Sequence, residues 1–471
     1  MSHSNNAVKD LTHGSPITLL LSFSLPLMLG NIFQQLYTFV DALIVGQKIG
    51  AYAMAALGAT EWITFIMFGV IGGITQGCSV VISKYFGNKE QDRMEKSIYS
   101  TYLISIALAI CFTIIGQLAI HPALILLHTP AEILDYSYLY LKILYAGVPI
   151  TILYNMLAAI MRALGNSRQP LHAMVIASIS NIVLDLLFIA SFDMGIAGAA
   201  YATVLAQLIA SLYCLFFIRR SQMYRLNQEN RVLSKDLLKE QITLGLPMGA
   251  QNMITSIGGL VVQATANSFG VLFVTGYAAA NKLYALLEIA ATSYAQGSLT
   301  FTAQNRGTNN TKRIKDGLKA SLFIGVITAI LMSCIMLFAG KWILGLFITE
   351  ASMSTEAAAN ISSVINTSST VSAEAAIQIG YEFLTILGFG FPLLYVLYII
   401  RACIQGLGDS FFPMLSSFIQ VIMRVACALF LTRIIGHGGI FWGEICAWIG
   451  ADIFLLVVFM LKIKKSTSNL L

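Results

Sequence analysis

Two aspartates lie within long apolar stretches of the sequence, where ionisable side chains are rare. Asp41 is in the first stretch and Asp185 is in the stretch at about 171–190. A central aspartate costs about 2.5–3.5 kcal/mol to insert into a bilayer, so such residues usually have a function. At about 1.5 Å per residue, both lie roughly 10–14 Å from the same end of their stretches. The two carboxyl groups are therefore candidates for one site.

Two neutral residues share this depth. Asn181 precedes Asp185 by four residues, which puts both on one helix face, and Thr203 lies nine residues after Met194. Carboxylate, amide and hydroxyl oxygens are ligands for hard cations, and the carboxylates could instead bind a proton. The alternative is structural, with Asp41 reaching the interface and the neutral pair hydrogen-bonding between helices. Asp41, Asn181, Asp185 and Thr203 are therefore predicted to bind a cation, such as sodium, or a proton.

Four more residues are candidates for a cavity or a helix bend. Pro26 interrupts the backbone hydrogen bonds of its helix, and freed carbonyls at membrane depth are tolerated where they face a cavity; a static kink is the alternative. Tyr37 and Gln34 lie one and two turns before Asp41, where they either line the same cavity or pack against other helices. Glu288 could bind the positive charge of a substrate or an ion, or it could form an ion pair that only stabilises the fold.

The chain that carries these residues has the composition of a membrane protein. Of its 471 residues, 57% are hydrophobic and only 11% are charged, whereas soluble domains have roughly a quarter charged. A crossing helix needs about 20 apolar residues. Twelve such runs lie at about 17–46, 51–82, 98–120, 133–160, 171–190, 194–218, 241–268, 274–303, 317–338, 379–403, 413–435 and 438–461. The sequence predicts an all-α polytopic membrane protein with twelve transmembrane helices.

The distribution of Lys and Arg predicts the orientation. Most of the 28 basic residues lie in loops on the side of the N-terminus, including the polar stretch 219–240, while Lys48, Lys341 and Arg433 lie on the other side. Basic loops stay in the cytoplasm, so we expect both termini there and the chain in the cell membrane. This placement in short loops also argues against nucleic acid as a partner.

The two halves of the chain repeat. Gly87 recurs as Gly307 at an offset of 220, and RALGNSRQP (162–170) recurs as QGLGDSFFP (405–413) at an offset of 243. The offset changes because of residues 350–378, a Ser/Thr/Ala/Glu-rich segment that is predicted to be a flexible outer loop. Parallel repeats are typical of transporters. We predict an N-terminal six-helix lobe (1–218), a cytoplasmic linker (219–240) and a C-terminal six-helix lobe (241–471).

With these features, the chain resembles bacterial members of the multidrug and toxic compound extrusion (MATE) family over nearly its whole length. The resemblance rests on QQLYTFVDALIVGQ (34–47), SNIVLDLLFI (180–189), GIAGAAYATVLAQ (195–207) and the repeated loop. It implies two pseudo-symmetric lobes, alternating access, and export of amphipathic, often cationic compounds against sodium or protons.

The resemblance also implies roles for individual residues. Asp41, Asn181, Asp185 and Thr203 match the cation site of the family's N-terminal lobe, and Pro26 matches a proline that bends the first helix. Arg424 and Ala428 stand at the positions equivalent to Asn181 and Asp185 in the second half. The ion site is therefore expected in the first lobe only.

Two other functions are weaker. A lipid-linked oligosaccharide flippase of the same superfamily should carry several basic residues in its cavity for pyrophosphate, and Lys282, Arg401 and Arg424 keep that alternative open. An enzyme or receptor is disfavoured because the six histidines form no nucleophile–base or metal-ligand pattern. We expect a monomeric transporter that is not an enzyme, has no cofactor and uses Na⁺ or H⁺ as its coupling ion.

Overall fold

The computed structural model describes residues 9–221, 226–348 and 369–468, and within these ranges the chain is helical with no strand. The helices are α1 (Pro16–Lys48), α2 (Ala51–Gly87), α3 (Gln91–Leu126), α4 (Ala131–Ala146), α5 (Val148–Ala163), α6 (Arg168–Asp185), α7 (Gly195–Arg220), α8 (Lys235–Asn267), α9 (Val271–Gly307), α10 (Thr311–Cys334), α11 (Gly340–Phe347), α12 (Ser369–Gly406), α13 (Phe411–Ala426), α14 (Thr432–Ile435) and α15 (Gly438–Ser468). Three π-helical segments follow α6, α10 and α13: Leu186–Ser191, Ile335–Ala339 and Cys427–Leu431.

Each of the twelve predicted runs coincides with one helix or with joined helices, so the predicted all-α membrane fold is confirmed. By length and mean hydropathy, nine helices of the described ranges could cross a membrane, and ten if α4 and α5 form one bent span. α8 and α9 are not among them. In α8, Gln241 donates to the Ser97 carbonyl and the Thr101 hydroxyl of α3 at 2.8 and 2.9 Å. Polar groups that are satisfied inside the protein do not face lipid, so hydropathy undercounts the spans.

The predicted outer loop is partly wrong. Its composition predicts irregular chain from 350 to 378, but α12 begins at Ser369. The helix continues beyond the apolar run because its backbone hydrogen bonds do not require apolar side chains. Residues 350–368, the rest of the segment, lie outside the described residues.

The fourth span is bent where α4 meets α5, at an angle of 50°. Pro149 lacks a backbone N–H, so it starts a helix more readily than it continues one. Gly147 lets this break pack against α7, because a Cβ at this position would lie 2.4 Å from a methyl carbon of Val204. On the next turn, the Thr151 hydroxyl hydrogen-bonds Gln207 of α7. The bend thus brings α5 and α7 together.

The two halves repeat in conformation as well as in sequence. Gly165 and Gly408, at the same place in the repeated loops, both have φ +79°. Lys89 and Asn309, which are offset by 220, have φ 58° and 54°. Positive φ is uncommon outside glycine, so its recurrence at matched positions indicates a shared backbone path. The predicted internal repeat is confirmed.

A reciprocal contact joins the ends of α2 and α9. A Cβ at Gly87 would lie 2.0 Å from the carbonyl oxygen of Gln304, and a Cβ at Gly307 would lie 2.1 Å from that of Lys84. Residue 304 is residue 84 shifted by the repeat offset, so exchanging the repeats exchanges the two contacts. Such a self-complementary contact is what a two-fold axis between these helix ends produces.

The described residues form two compact units. The first extends to Met253 and adds Leu299–Ile314 and Gln405–Phe411, and the second contains Ile254–Ser298, Lys315–Ile404 and the chain from Phe412 onward. This division does not follow the polar stretch 219–240. One reason is that Glu240, at the start of α8, forms a 2.8 Å ion pair with Lys84 of α2. The predicted lobe boundaries stay a prediction.

Candidate functional site

Asp41 and Asp185 meet inside the first unit. Asp41 lies on α1 and is 7% exposed, and Asp185, the last residue of α6, is fully buried. Their carboxyl groups are close enough to share a hydrogen bond when one proton is bound. The fold therefore brings together the two carboxyl groups that the sequence proposes for one site.

Asn181 lies one turn before Asp185 and is also fully buried. Among the described residues, no hydrogen-bond partner exists for its amide nitrogen and oxygen, for either oxygen of Asp185, or for Oδ1 of Asp41. Buried polar atoms are almost always hydrogen-bonded, and an unsatisfied one costs about 1–3 kcal/mol. A group of such atoms in one place can accept a proton or a cation.

The ligand set is that of a hard cation. Two carboxylates and an amide oxygen suit ions that prefer oxygen. Among the described residues, no group of three or more His, Cys, Asp and Glu side chains could hold a metal ion. Thr203 lies nearby on α7, but its hydroxyl does not bond Asp185, both of whose oxygens lack partners. The structure thus groups three of the four predicted residues, whereas Thr203 lines the cavity without a hydrogen bond to Asp185.

The backbone changes form directly after Asp185. Leu186–Ser191 is π-helical, and at its end the Phe192 N–H donates to the Leu187 carbonyl at 3.0 Å. π-helical segments are rare and are frequent at functional sites. The matching helix α13 carries its own π-helical segment, Cys427–Leu431. The irregular backbone therefore belongs to both repeats, whereas the aspartate belongs to the first.

Two tyrosines border the carboxyl pair. Tyr37 of α1 and Tyr140 of α4 both interact electrostatically with Asp41 and Asp185. Tyr37 also hydrogen-bonds the side chain of Gln34. Sequence analysis missed Tyr140, because one tyrosine in an aromatic-rich helix has no distinctive spacing.

A cavity of about 320 Å³ adjoins this pair within the first unit. Pro26, Gln34, Tyr37 and Thr203 are on its wall, and Tyr37 connects the cavity to Asp41. The other lining residues come from α1, α2, α5, α6 and α7: Leu27, Gly30, Asn31, Phe65, Phe68, Tyr154, Asn155, Arg162, Pro170, Leu171, Met174, Ala177, Ala206, Gln207 and Ala210. The volume is at the lower end of the roughly 300–1,000 Å³ typical of small-molecule sites.

Pro26 lies within α1 on this wall. Proline has no N–H and crowds the carbonyl four residues before it, here that of Ser22. The helix is therefore weakened where it borders the cavity. A proline-weakened turn can serve as a bending point or as a static kink.

Arg162 lines the cavity, although it is the first residue of the repeated loop sequence RALGNSRQP. It lies in the last turn of α5, before the loop, and its side chain lines the cavity. Its Nε is buried and has no hydrogen-bond partner among the described residues. A usable signal was its position three residues before Gly165, because a residue ahead of the glycine that ends a helix is still helical.

Glu288 lies in the second unit and does not line this cavity. Its carboxylate accepts a hydrogen bond from the Tyr398 hydroxyl at 2.6 Å. In the same unit, Arg424 of α13 pairs with Glu444 of α15 at 2.6 Å. The second unit thus contains its own partly buried polar network, and the predicted role of Glu288 stays a prediction.

Known proteins match the chain in sequence and in fold. It is 28% identical over 406 residues to the probable multidrug resistance protein YpnP of Bacillus subtilis (strain 168), covering 85% of this chain and 84% of that protein. It is 26% identical over 456 residues to the multidrug export protein MepA of Staphylococcus aureus (strain bovine RF122 / ET3-1), covering 94% and 93%.

A solved structure described as the outward-facing conformation of a multidrug resistance MATE family transporter matches with a TM-score of 0.86. It covers 98% of this chain and 99% of that chain at 22% identity, which supports the fold alone. The profile of the MatE family matches residues 26–187 and 247–371. Because these matches span more than half of the sequence and parts of both repeats, the chain belongs to the MatE family.

Proposed function

We propose that this protein is a secondary active exporter, which moves amphipathic and often cationic compounds outward in exchange for sodium ions or protons. The observation that carries the proposal is the group of unpartnered buried polar atoms on Asp41, Asn181 and Asp185, next to a cavity of about 320 Å³. The similarity to YpnP, a probable multidrug resistance protein, and to MepA, a multidrug export protein, supports the same function.

Coupling is proposed to act through α1. A proton or sodium ion bound by Asp41, Asn181 and Asp185 neutralises buried negative charge, with the Thr203 hydroxyl as the fourth ligand once α7 approaches. The same helix carries Pro26, Gln34 and Tyr37 on the cavity wall. A change of α1 on ion binding would therefore change the cavity, which is the link that exchange requires.

A lipid-linked oligosaccharide flippase is the alternative, and the second unit argues against it. Arg424 is paired with Glu444 at 2.6 Å. Arg401 donates to Ser416 and Gln420 at 2.9 and 3.0 Å. These two guanidinium groups already make hydrogen bonds within the second unit, and the first-unit cavity has one arginine, Arg162, on its described wall, where a pyrophosphate site calls for several basic residues. We further propose a monomer in the cell membrane, with both termini cytoplasmic and no cofactor.

Transport by purified full-length protein in liposomes tests this function. Dye movement is followed under an imposed sodium gradient, an imposed proton gradient, or neither, with a panel of cationic dyes. Accumulation that requires one of the two gradients supports exchange and identifies the coupling ion. Equal dye movement with and without both gradients would exclude secondary active export.

A further inference from the structure

The cavity of the first unit has one permanently charged lining residue, Arg162. Among the described residues, its wall contains neither Asp nor Glu, and the other polar members, such as Asn155 and Gln207, are neutral. An arginine stays protonated in proteins. The cavity therefore presents a fixed positive charge, although many expected substrates are cations.

Among the described residues, no carboxylate interacts with the charge of Arg162. Its electrostatic neighbours are Tyr154 and Cys214, neither of which is a carboxylate. Its Nε is buried without a partner among the described residues. A buried guanidinium N–H without a partner is costly, so an anionic or strongly accepting group from outside the chain would be stabilised here.

Arg162 lies at the end of the cavity away from Thr203 and Tyr37, and Tyr37 connects the wall to the carboxyl pair, which lies outside it. Cys214, the neighbour of Arg162, is eleven residues beyond Thr203 on α7, which corresponds to roughly 16 Å along a helix. Tyr154 interacts with Arg162 and also with Tyr37, so it lies between the two ends. Phe65 and Phe68 supply apolar wall.

We propose that Arg162 binds a carboxylate of the transported compound, so that this cavity prefers amphipathic molecules that carry an anionic group on an apolar body. This inference rests on the proposed export function and names the substrate class. The planar guanidinium matches a carboxylate with two parallel hydrogen bonds. Zwitterions suit the cavity best, because their cationic end can lie toward Tyr37 and the carboxyl pair.

Two dyes with the same body isolate the contribution of the carboxylate. Rhodamine 110 carries a free carboxylate and rhodamine 123 is its methyl ester. We measure the equilibrium binding of both dyes to purified full-length protein. Wild type should bind rhodamine 110 about tenfold more tightly, the value of one modest charge-assisted hydrogen bond. In Arg162→Met this preference should fall to near unity.

Arg168→Met is the matched control. Arg168 lies in the same loop sequence but is exposed and does not line the cavity. This variant should keep the preference of the wild type, which separates a local contact from a general change of protein charge. Arg162→Lys keeps the positive charge without the planar fork, so it should keep only part of the preference and provides a second test if Arg162→Met fails to fold.

The possible results separate the inference from the proposed function. Equal binding of both dyes by wild type, or an unchanged preference in Arg162→Met, would overturn the role of Arg162 while leaving export intact. If neither dye binds or is exported, the proposed function itself fails. A preference that is lost in Arg162→Met and kept in Arg168→Met supports the inference.

Discussion

Asparagine substitutions can separate the effect of the charge of Asp41 and Asp185 from the effect of their side-chain shape. Asparagine keeps the size and hydrogen-bonding character of aspartate but neither carries charge nor titrates. Asp41→Asn and Asp185→Asn should each abolish gradient-driven export and leave folding largely intact, since both Asp185 oxygens lack protein partners. The measurement is dye efflux beside equilibrium dye binding, expression and thermal stability.

Asp193→Asn is the control for this pair. Asp193 is exposed with φ 52°, a conformation that asparagine adopts equally well. Its export should stay at the wild-type rate. If Asp41→Asn and Asp185→Asn also export at that rate, the coupling site lies elsewhere, and the carboxylate of Glu288 becomes the next candidate.

Substitutions of Asn181 and Thr203 should reduce export less than substitutions of the two aspartates. Asn181→Ala and Thr203→Ala each remove one neutral oxygen, so export should fall without being abolished. Asn181→Ala should be the more severe change, because Asn181 lies one turn from Asp185 whereas Thr203 does not bond it. Initial efflux rates at several ion concentrations test this order. A Thr203→Ala defect as complete as that of Asp185→Asn would contradict it.

At the scale of elements, the segment before α1 ties several helix ends together within the first unit. Leu11 is 1% exposed. Its N–H donates to Gln304 Oε1 at 2.9 Å, and its carbonyl accepts from Asn305 and Arg313 at 3.2 and 3.1 Å. Gln304 also donates to the Ala163 carbonyl at 3.0 Å. One amide thus connects the N-terminal segment, the end of α5 and the end of α9.

Gln304→Leu should destabilise the protein. It removes the Gln304 acceptor of the buried Leu11 N–H, at a cost of about 1–3 kcal/mol for an unsatisfied group, whereas the Ala163 carbonyl keeps its 3.1 Å hydrogen bond from the Ser83 hydroxyl. The melting temperature of the purified protein should fall by several degrees. Gln378→Leu is the control, because Gln378 is exposed and its bond to Glu382 is long, at 3.4 Å. Equal melting temperatures for the two variants would contradict this account.

Alanine substitutions of the two glycines in the repeated loops should destabilise the protein to different degrees. Gly165→Ala and Gly408→Ala both force alanine into φ +79°, which costs about 1–2 kcal/mol. Gly165→Ala should be worse, because its Cβ would lie 1.9 Å from the Lys9 carbonyl oxygen, whereas the obstacle at Gly408 is the flexible end of the Arg306 side chain. Thermal melting measures the order. Gly58→Ala, in open space on α2, should be neutral or stabilising.

At the scale of the whole molecule, the predicted orientation in the membrane, with both termini in the cytoplasm, can be tested by labelling. In a variant without the seven native cysteines, Ser221→Cys and Ser363→Cys should react with impermeant reagents from opposite sides. Ser221 should be cytoplasmic, because basic loops are retained there. Labelling of both from one side would refute the predicted topology. Wild-type export by the cysteine-free variant is the control.

Local properties of the sequence predicted the helices, the repeat and most candidate residues. Hydropathy locates the apolar runs because a membrane selects composition over about 20 residues. The matched glycines Gly165 and Gly408 were visible because a positive φ restricts residue type. Asp41 and Asp185 stood out because a buried charge is costly enough to be rare. Each of these signals is contained in a short segment.

Tertiary structure decided which residues meet. Asp41 and Asp185 are far apart in sequence, and only the packing of α1 against α6 brings their carboxyl groups together. Tyr140 could not be assigned from sequence, and Arg162 could be assigned to a helix but not to the cavity wall, because the direction of a side chain depends on how its helix is rotated against its neighbours. The mean hydropathy of α8 is also too low to indicate a membrane span from its sequence. Its polar side chains are satisfied by other helices, and composition alone does not record such partners.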